Sequence, residues 1–144
     1  MRRIAALVLL ALAPAAMAGE FRSIAETGTI MYDGPSVRAK KLFVATRSYP
    51  VEIVVNIDAW VKVRDPSGDL TWVEKKALSD RRTVVVTAAF ADVRQAPSDQ
   101  GALVFQAQQG VALDVAEPAT GAWIKVKHAD GQAGYLKITQ VWGL

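Results

Sequence analysis

The stretch WVKVRDPSGDLTWV, residues 60–73, returns as WIKVKHADGQAGYL at residues 123–136. Trp60 meets Trp123, Lys62 meets Lys125, Val63 meets Val126, Gly68 meets Gly131 and Trp72 meets Tyr135. In each copy two short alternating runs flank a turn-forming centre, the pattern of a β-hairpin. Period two puts Val61 and Val63 on one face of the first strand, and Trp60, Lys62 and Arg64 on the other. Val73 joins the two valines only in a register that sets Lys62 opposite Trp72 and Trp60 opposite Glu74, since a slip of one residue would turn it outward. The same reasoning turns Ile124, Val126 and Leu136 inward and sets Lys125 across from Tyr135.

Outward from these hairpins, short β-branched runs recur throughout the chain, separated every eight to twelve residues by Gly, Pro, Asp and Ser. Strands are expected near Ala25–Met31, Leu42–Ala45, Val51–Asn56, Ala59–Arg64 and Leu70–Glu74. They recur near Thr83–Ala88, Ala91–Arg94, Leu103–Gln106, Val111–Glu117, Ala122–Lys127 and Ala133–Lys137, and a last segment spans Ile138–Trp142. KKALSDRR, residues 75–82, suits one helical or 3₁₀ turn and a linker, with a boundary near Asp80. Aligning Val51 and Val55 with Val111 and Val115 places three extra residues before Trp123, so Glu117–Gly121 is expected to be a turn. A repeat of this length in a chain of 144 residues predicts two small units that lean on one another.

The first 18 residues, MRRIAALVLLALAPAAMA, have the layout of a secretory signal peptide cut after Ala18: Arg2 and Arg3, an apolar run, then small residues. The expected location is the periplasm or the extracellular space. No later segment reaches the roughly 20 apolar residues of a membrane span. Of 17 basic residues the cut removes two, leaving 15 against 14 acidic ones, too even a balance for a nucleic-acid partner. The chain has no cysteine, hence no disulfide and no thiol nucleophile.

Both halves resemble bacterial SH3 domains. The second carries the likeness in ADVRQAPSDQGALVFQAQQGVALDV, residues 91–115, followed by the Trp123 hairpin with its Gly-aromatic-apolar ending. The first, YDGPSVRAKKLFVATRSYPVEIVV at residues 32–55, keeps Pro35, but has Tyr49 and Pro50 where the family has a Gly before the strand, and Thr71 where Gly is frequent. The resemblance implies an all-β fold of two tandem SH3-like barrels, residues 19–80 and 81–144, after the signal peptide. Family members often accompany a papain-like cell-wall peptidase domain, whose nucleophilic cysteine this chain lacks. MYDG, residues 31–34, is similar to part of the groove motif of eukaryotic SH3 domains. The Pro-x-Asn-Tyr element completing that groove is missing, so recognition of proline helices is not implied.

Chemistry is sparse. His128 is the single histidine and falls at a hairpin tip, so neither a zinc site nor a Ser/His/Asp triad can be assembled. No enzyme, metal or other cofactor is expected. What remains is an outward aromatic and basic stripe of Trp60, Lys62, Arg64 and Trp72, its counterpart of Trp123, Lys125, Lys127 and Tyr135, and the tyrosines Tyr32 and Tyr49. Such residues suit an interface that is apolar on one side and wet on the other, and equally suit packing within a small barrel. The leading expectation is a non-catalytic binding module for a peptide of the cell wall or of an envelope protein. The alternative is a structural subunit of an envelope assembly whose barrels support each other without a separate ligand.

Overall fold

The computed structural model describes residues 19–144, and the expected signal peptide lies outside the described residues. Fourteen strands form two sheets of seven. The first comprises β1 (Glu20–Ile24), β2 (Thr29–Tyr32), β3 (Lys41–Ala45), β4 (Pro50–Ile57), β5 (Trp60–Arg64), β6 (Leu70–Glu74) and β7 (Leu78–Ser79), in the order β3-β2-β6-β5-β4-β1-β7. The second comprises β8 (Thr83–Val86), β9 (Phe90–Arg94), β10 (Leu103–Gln108), β11 (Ala112–Thr120), β12 (Trp123–Lys127), β13 (Ala133–Lys137) and β14 (Val141–Trp142), in the order β10-β9-β13-β12-β11-β8-β14. The two orders are the same, strand for strand, and every pairing is antiparallel.

Each sheet is organised by one apolar cluster. In the first, Ile24, Met31, Ala45, Val51, Val61, Val63 and Val73 come from six successive strands. In the second, Val84, Val86, Ala91, Val93, Ala107, Leu113, Ile124, Val126 and Leu136 do the same. Burying a Val or Leu side chain contributes about 1.5–3 kcal/mol, enough for nine such groups to hold a sheet of short strands. The hairpin registers match the alternation: Val61 pairs with Val73, Lys62 with Trp72 and Trp60 with Glu74, while Lys125 pairs with Tyr135.

Three expectations are corrected. Ala25–Met31 is not one strand. Ala25–Gly28 turns, with Gly28 in the left-handed region at φ 96°, and an additional strand, β1, precedes it. Its sequence EFRSI hides the pattern because Arg22 and Ser23 interrupt the apolar alternation, although TVVV in β8 occupies the same place in the second sheet. Glu117–Gly121 is likewise strand rather than turn as far as Thr120, with the turn at Gly121 and Ala122. Val51 corresponds to Leu113, not Val111, since Arg22 pairs with Val51 as Val84 pairs with Leu113. Val55 pairs with Lys62 and Ile57 with Trp60, whereas Glu117 pairs with Lys125 and Thr120 with Trp123, so the second repeat gains one residue there, not three. A β-bulge absorbs a single extra residue without ending the strand.

The repeats meet along a seam. Phe21 of β1 lies edge-on to Trp142 of β14, ring centres 5.2 Å apart, and the Arg82 guanidinium sits 5.5 Å from the Phe21 ring centre. The Thr83 hydroxyl donates to Ser48 O at 2.6 Å, and Arg82 Nη2 donates to Gly143 O at 3.0 Å. Ser48 is a non-glycine residue in the left-handed region, φ 71°, where Gly110 stands in the second repeat, so the Thr83 bond anchors a strained turn.

Candidate functional site

A row of paired residues crosses four strands of the first sheet, outward except at its buried end, Tyr32. Val55 on β4 pairs with Lys62 on β5, Lys62 with Trp72 on β6, and Trp72 with Tyr32 on β2. The corresponding row of the second sheet is Glu117, Lys125, Tyr135 and Arg94. One row is apolar and aromatic with a single cation; the other is mostly charged. In the second, Lys125 Nζ lies 3.3 Å from Glu117 Oε1 and 5.7 Å from the Tyr135 ring centre, and Arg94 pairs with Asp92 at 3.0 Å. Lys62 has no ion-pair partner among the described residues.

The same contrast decides the groove beside each leading tryptophan. Trp60 is half-buried, its ring 5.4 Å from Tyr32 in an edge-on contact. Tyr32 is 6% exposed, so it supports Trp60 from beneath and is not part of the open surface. Around Trp60 lies an open groove of about 660 Å³ walled by Val37, Ala59, Glu74, Lys75 and Lys76. Val37, on the β2–β3 loop, is 59% exposed, an aliphatic side chain offered to solvent at the groove's edge. In the second repeat the homologous loop keeps its hydrogen bonds: Asp33 N to Lys40 O becomes Gln95 N to Ala102 O, and Ala39 N to Ser36 O becomes Gly101 N to Ser98 O. Asp99 therefore stands where Val37 stands. Lys137, the partner of Trp123 as Glu74 is of Trp60, places its ammonium 5.8 Å from the Trp123 ring centre and 2.9 Å from Asp99. An ion pair thus crosses the position that is open in the first repeat.

A bacterial SH3 domain family model matches residues 25–80 and again residues 87–143. The chain belongs to the bacterial SH3 domain family. No curated protein matches it. Among solved structures, the bacterial SH3 pair is similar to NlpC2 from Trichomonas vaginalis, with 13% identity over 89% of this chain and 49% of that one and a TM-score of 0.38. It is similar also to NlpC1 from the same organism, with 14% identity, coverage of 95% and 50%, and a TM-score of 0.37. An NlpC/P60 family protein from Bacillus cereus matches with 16% identity, coverage of 85% and 56%, and a TM-score of 0.37. The chain thus spans about half the length of these structures.

The other residues singled out in the sequence lie in different places of this bacterial SH3 pair. Arg64 is tied to Glu52 across β4 and β5 at 3.0 Å. Tyr49 packs against the first core, and burial, with the charge of Asp65 added, raises its hydroxyl pKa above the ordinary value. Tyr49 and Lys127 line a cleft between the repeats, away from both tryptophan grooves.

The hairpin tips diverge in the same way. Asp65 is buried at 9% exposure and its Oδ1 accepts from Ser67 N, Ser67 Oγ and Asp69 N at 2.9, 2.6 and 3.0 Å. In the second repeat His128, half-buried, accepts the Asp130 N–H at Nδ1, 3.2 Å away. The Gln132 N–H, donated to Asp130 Oδ1 at 2.9 Å, holds the Asp130 carboxyl below the usual carboxylate range. Both arrangements close a turn, the ordinary use of Asx side chains. Among the described residues no group of three His, Asp or Glu side chains could hold a metal ion, and no helix is long and apolar enough to cross a membrane.

Proposed function

We propose that this bacterial SH3 pair is an exported, non-catalytic binding module that receives a peptide of the cell wall or of an envelope protein in the groove beside Trp60. The observation that carries the reading is the difference between the two grooves: an open wall of Trp60 and Val37 in one, and a Lys137–Asp99 bridge in the other. Half-buried tryptophans bordering a concave surface are the residues on which peptide affinity concentrates. Lys75 in the groove wall and Lys62 on the neighbouring row have no ion-pair partner among the described residues and favour a peptide with acidic groups, while Lys76 is engaged by Glu74 at 3.2 Å. Export rests on the signal-like first 18 residues, and the periplasm or extracellular space is the proposed location. Each sheet is read as an SH3-like barrel, residues 19–80 and 81–144, because side chains from its successive strands converge on one cluster.

Pull-down on purified cell wall and on an envelope extract tests the reading and separates the two peptide sources. Trp60→Ala is expected to weaken retention by about 30-fold or more, the cost of a hot-spot tryptophan, and Trp123→Ala by less than about twofold. Retention unchanged by Trp60→Ala would sink the groove.

A structural role is favoured by a separate observation, the seam built from Phe21, Trp142, Arg82 and Thr83. If duplication serves mutual support, residues 19–80 and 81–144 expressed separately melt well below the intact pair; two halves that each unfold cooperatively at its temperature reject that account.

A further inference from the structure

The cross-strand ion pair of the first repeat is broken in the second, with a consequence for the cleft between the repeats. Glu52 and Arg64 face each other across β4 and β5 and are joined at 3.0 Å. Asp114 and Lys127 face each other at the homologous place on β11 and β12. There Asp114 turns instead to Arg81 of the linker, at 3.6 Å, and Lys127 is left without a carboxylate. Lys127 lines a cleft of about 660 Å³.

The opposite wall comes from the first repeat: Thr46, Arg47, Ser48 and Tyr49. Arg47, like Lys127, is exposed and has no ion-pair partner among the described residues. The charged groups lining the cleft are therefore Arg47, Arg81, Lys127 and Asp114, with one carboxylate already engaged by one arginine, and His128 stands at the rim. Burial, and secondly the charge of Asp65, raise the Tyr49 pKa above its ordinary value of 10.0, and at neutral pH the hydroxyl is a donor in any case. The remaining wall is backbone and small apolar side chains at Gly110, Val111, Ala112 and Ala129.

We propose that this inter-repeat cleft is a second binding site, which takes the free carboxylate end of a short peptide. Arg47 presents a planar fork suited to a carboxylate, and Lys127 adds a point charge from the facing repeat. The Tyr49 hydroxyl donates the third contact, and Val111 and Ala129 accept a small side chain. The volume suits two or three residues. Neither repeat holds the site alone, which gives the seam a function beyond support: it sets Arg47 against Lys127.

The test is isothermal titration of the intact protein with acetyl-Ala-Ala and with its C-terminal amide, inorganic phosphate serving as competitor. The acid is expected to bind one per chain and the amide about tenfold more weakly or worse, because the charge-assisted contacts are lost. Arg47→Gln and Lys127→Gln should each weaken the acid by about three- to tenfold, with Trp60→Ala leaving it unchanged, so failure here is distinct from failure of the Trp60 groove. Equal affinity for acid and amide overturns the proposal, as does displacement by phosphate at similar concentration, which would mark a general anion site. Should the charge variants melt lower, amide shifts in the unaltered protein decide. Shifts at Gly110 and Ala129 on addition of the acid support the site, and their absence rejects it.

Discussion

The rows Val55-Lys62-Trp72-Tyr32 and Glu117-Lys125-Tyr135-Arg94 occupy the same strands of the same fold, yet they differ in character, the first largely apolar and ending on the buried Tyr32, the second mostly charged. In the second repeat Lys125 pairs with Glu117 and Tyr135, Arg94 with Asp92, and Lys137, beside the row, with Asp99 and Trp123. In the first, Trp60 leans on a buried tyrosine and borders an open groove. Duplication has preserved the hairpin and let its outer face diverge. Exposed ion pairs contribute little to stability, about 0–1 kcal/mol, so the second row is not explained as a stability device; its effect is to fill the surface that the first leaves open.

Exchanging the residues that differ should break the contrast. Val37→Asp with Glu74→Lys transplants the bridge into the first repeat and is expected to reduce peptide retention by about a hundredfold, roughly 2.7 kcal/mol. The reverse pair, Asp99→Val with Lys137→Glu, should open the second groove and raise the calorimetric stoichiometry of a C-terminally amidated peptide, which the cleft does not hold, from one to two. Retention that survives the first exchange would mean that the bridge does not close the groove.

Next in size is a difference in stability under the rows. At the place of Thr71 the second repeat has Gly134, where an added Cβ would lie 2.6 Å from Arg94 O. Gly134→Ala should cost about 2 kcal/mol by overpacking, read from denaturant unfolding. Thr71 accommodates its side chain but leaves its buried hydroxyl without a hydrogen bond. Thr71→Val keeps the shape, removes the orphan and should therefore stabilise the first repeat by about 1 kcal/mol.

The smallest effect is confined to alkaline solution. The Tyr49 pKa is raised in the folded state by burial and by Asp65, so the unfolded chain releases this proton first. Stability is then independent of this group below its ordinary value of 10.0, and falls as pH rises above that value toward the folded pKa. Tyr49→Phe should flatten this alkaline slope in urea titrations; an unchanged slope would assign it to other groups.

Much of this arrangement is legible in the amino-acid sequence because a hairpin is local. Alternation with period two fixes which side chains turn inward, and turn residues fix where the chain reverses, so Val61, Val63, Val73, Ile124, Val126 and Leu136 all lie in the cores as their spacing predicts. β1 escaped because a strand of mixed composition is held through its pairing on both sides, with β4 and β7, distant in sequence. The bulge at Glu117 escaped for a related reason: one added residue can leave the pairing or be absorbed within it, and only the facing strand decides. The ten candidate residues form one class in the sequence, aromatic or basic and directed outward. In space Tyr32 is buried support, Arg64 is neutralised, and Tyr49 and Lys127 belong to the cleft.

By itself the sequence determined the repeat, the β class, the two inward faces and the membership of the bacterial SH3 family, since these follow from the order of apolar residues and turn formers along the chain. Only the tertiary structure decided which outward residues remain open. Whether Lys137 reaches Asp99, or Asp114 turns to Arg81 and leaves Lys127, depends on side chains from strands and loops distant in the chain meeting within about 4 Å, a condition that no spacing along one strand contains.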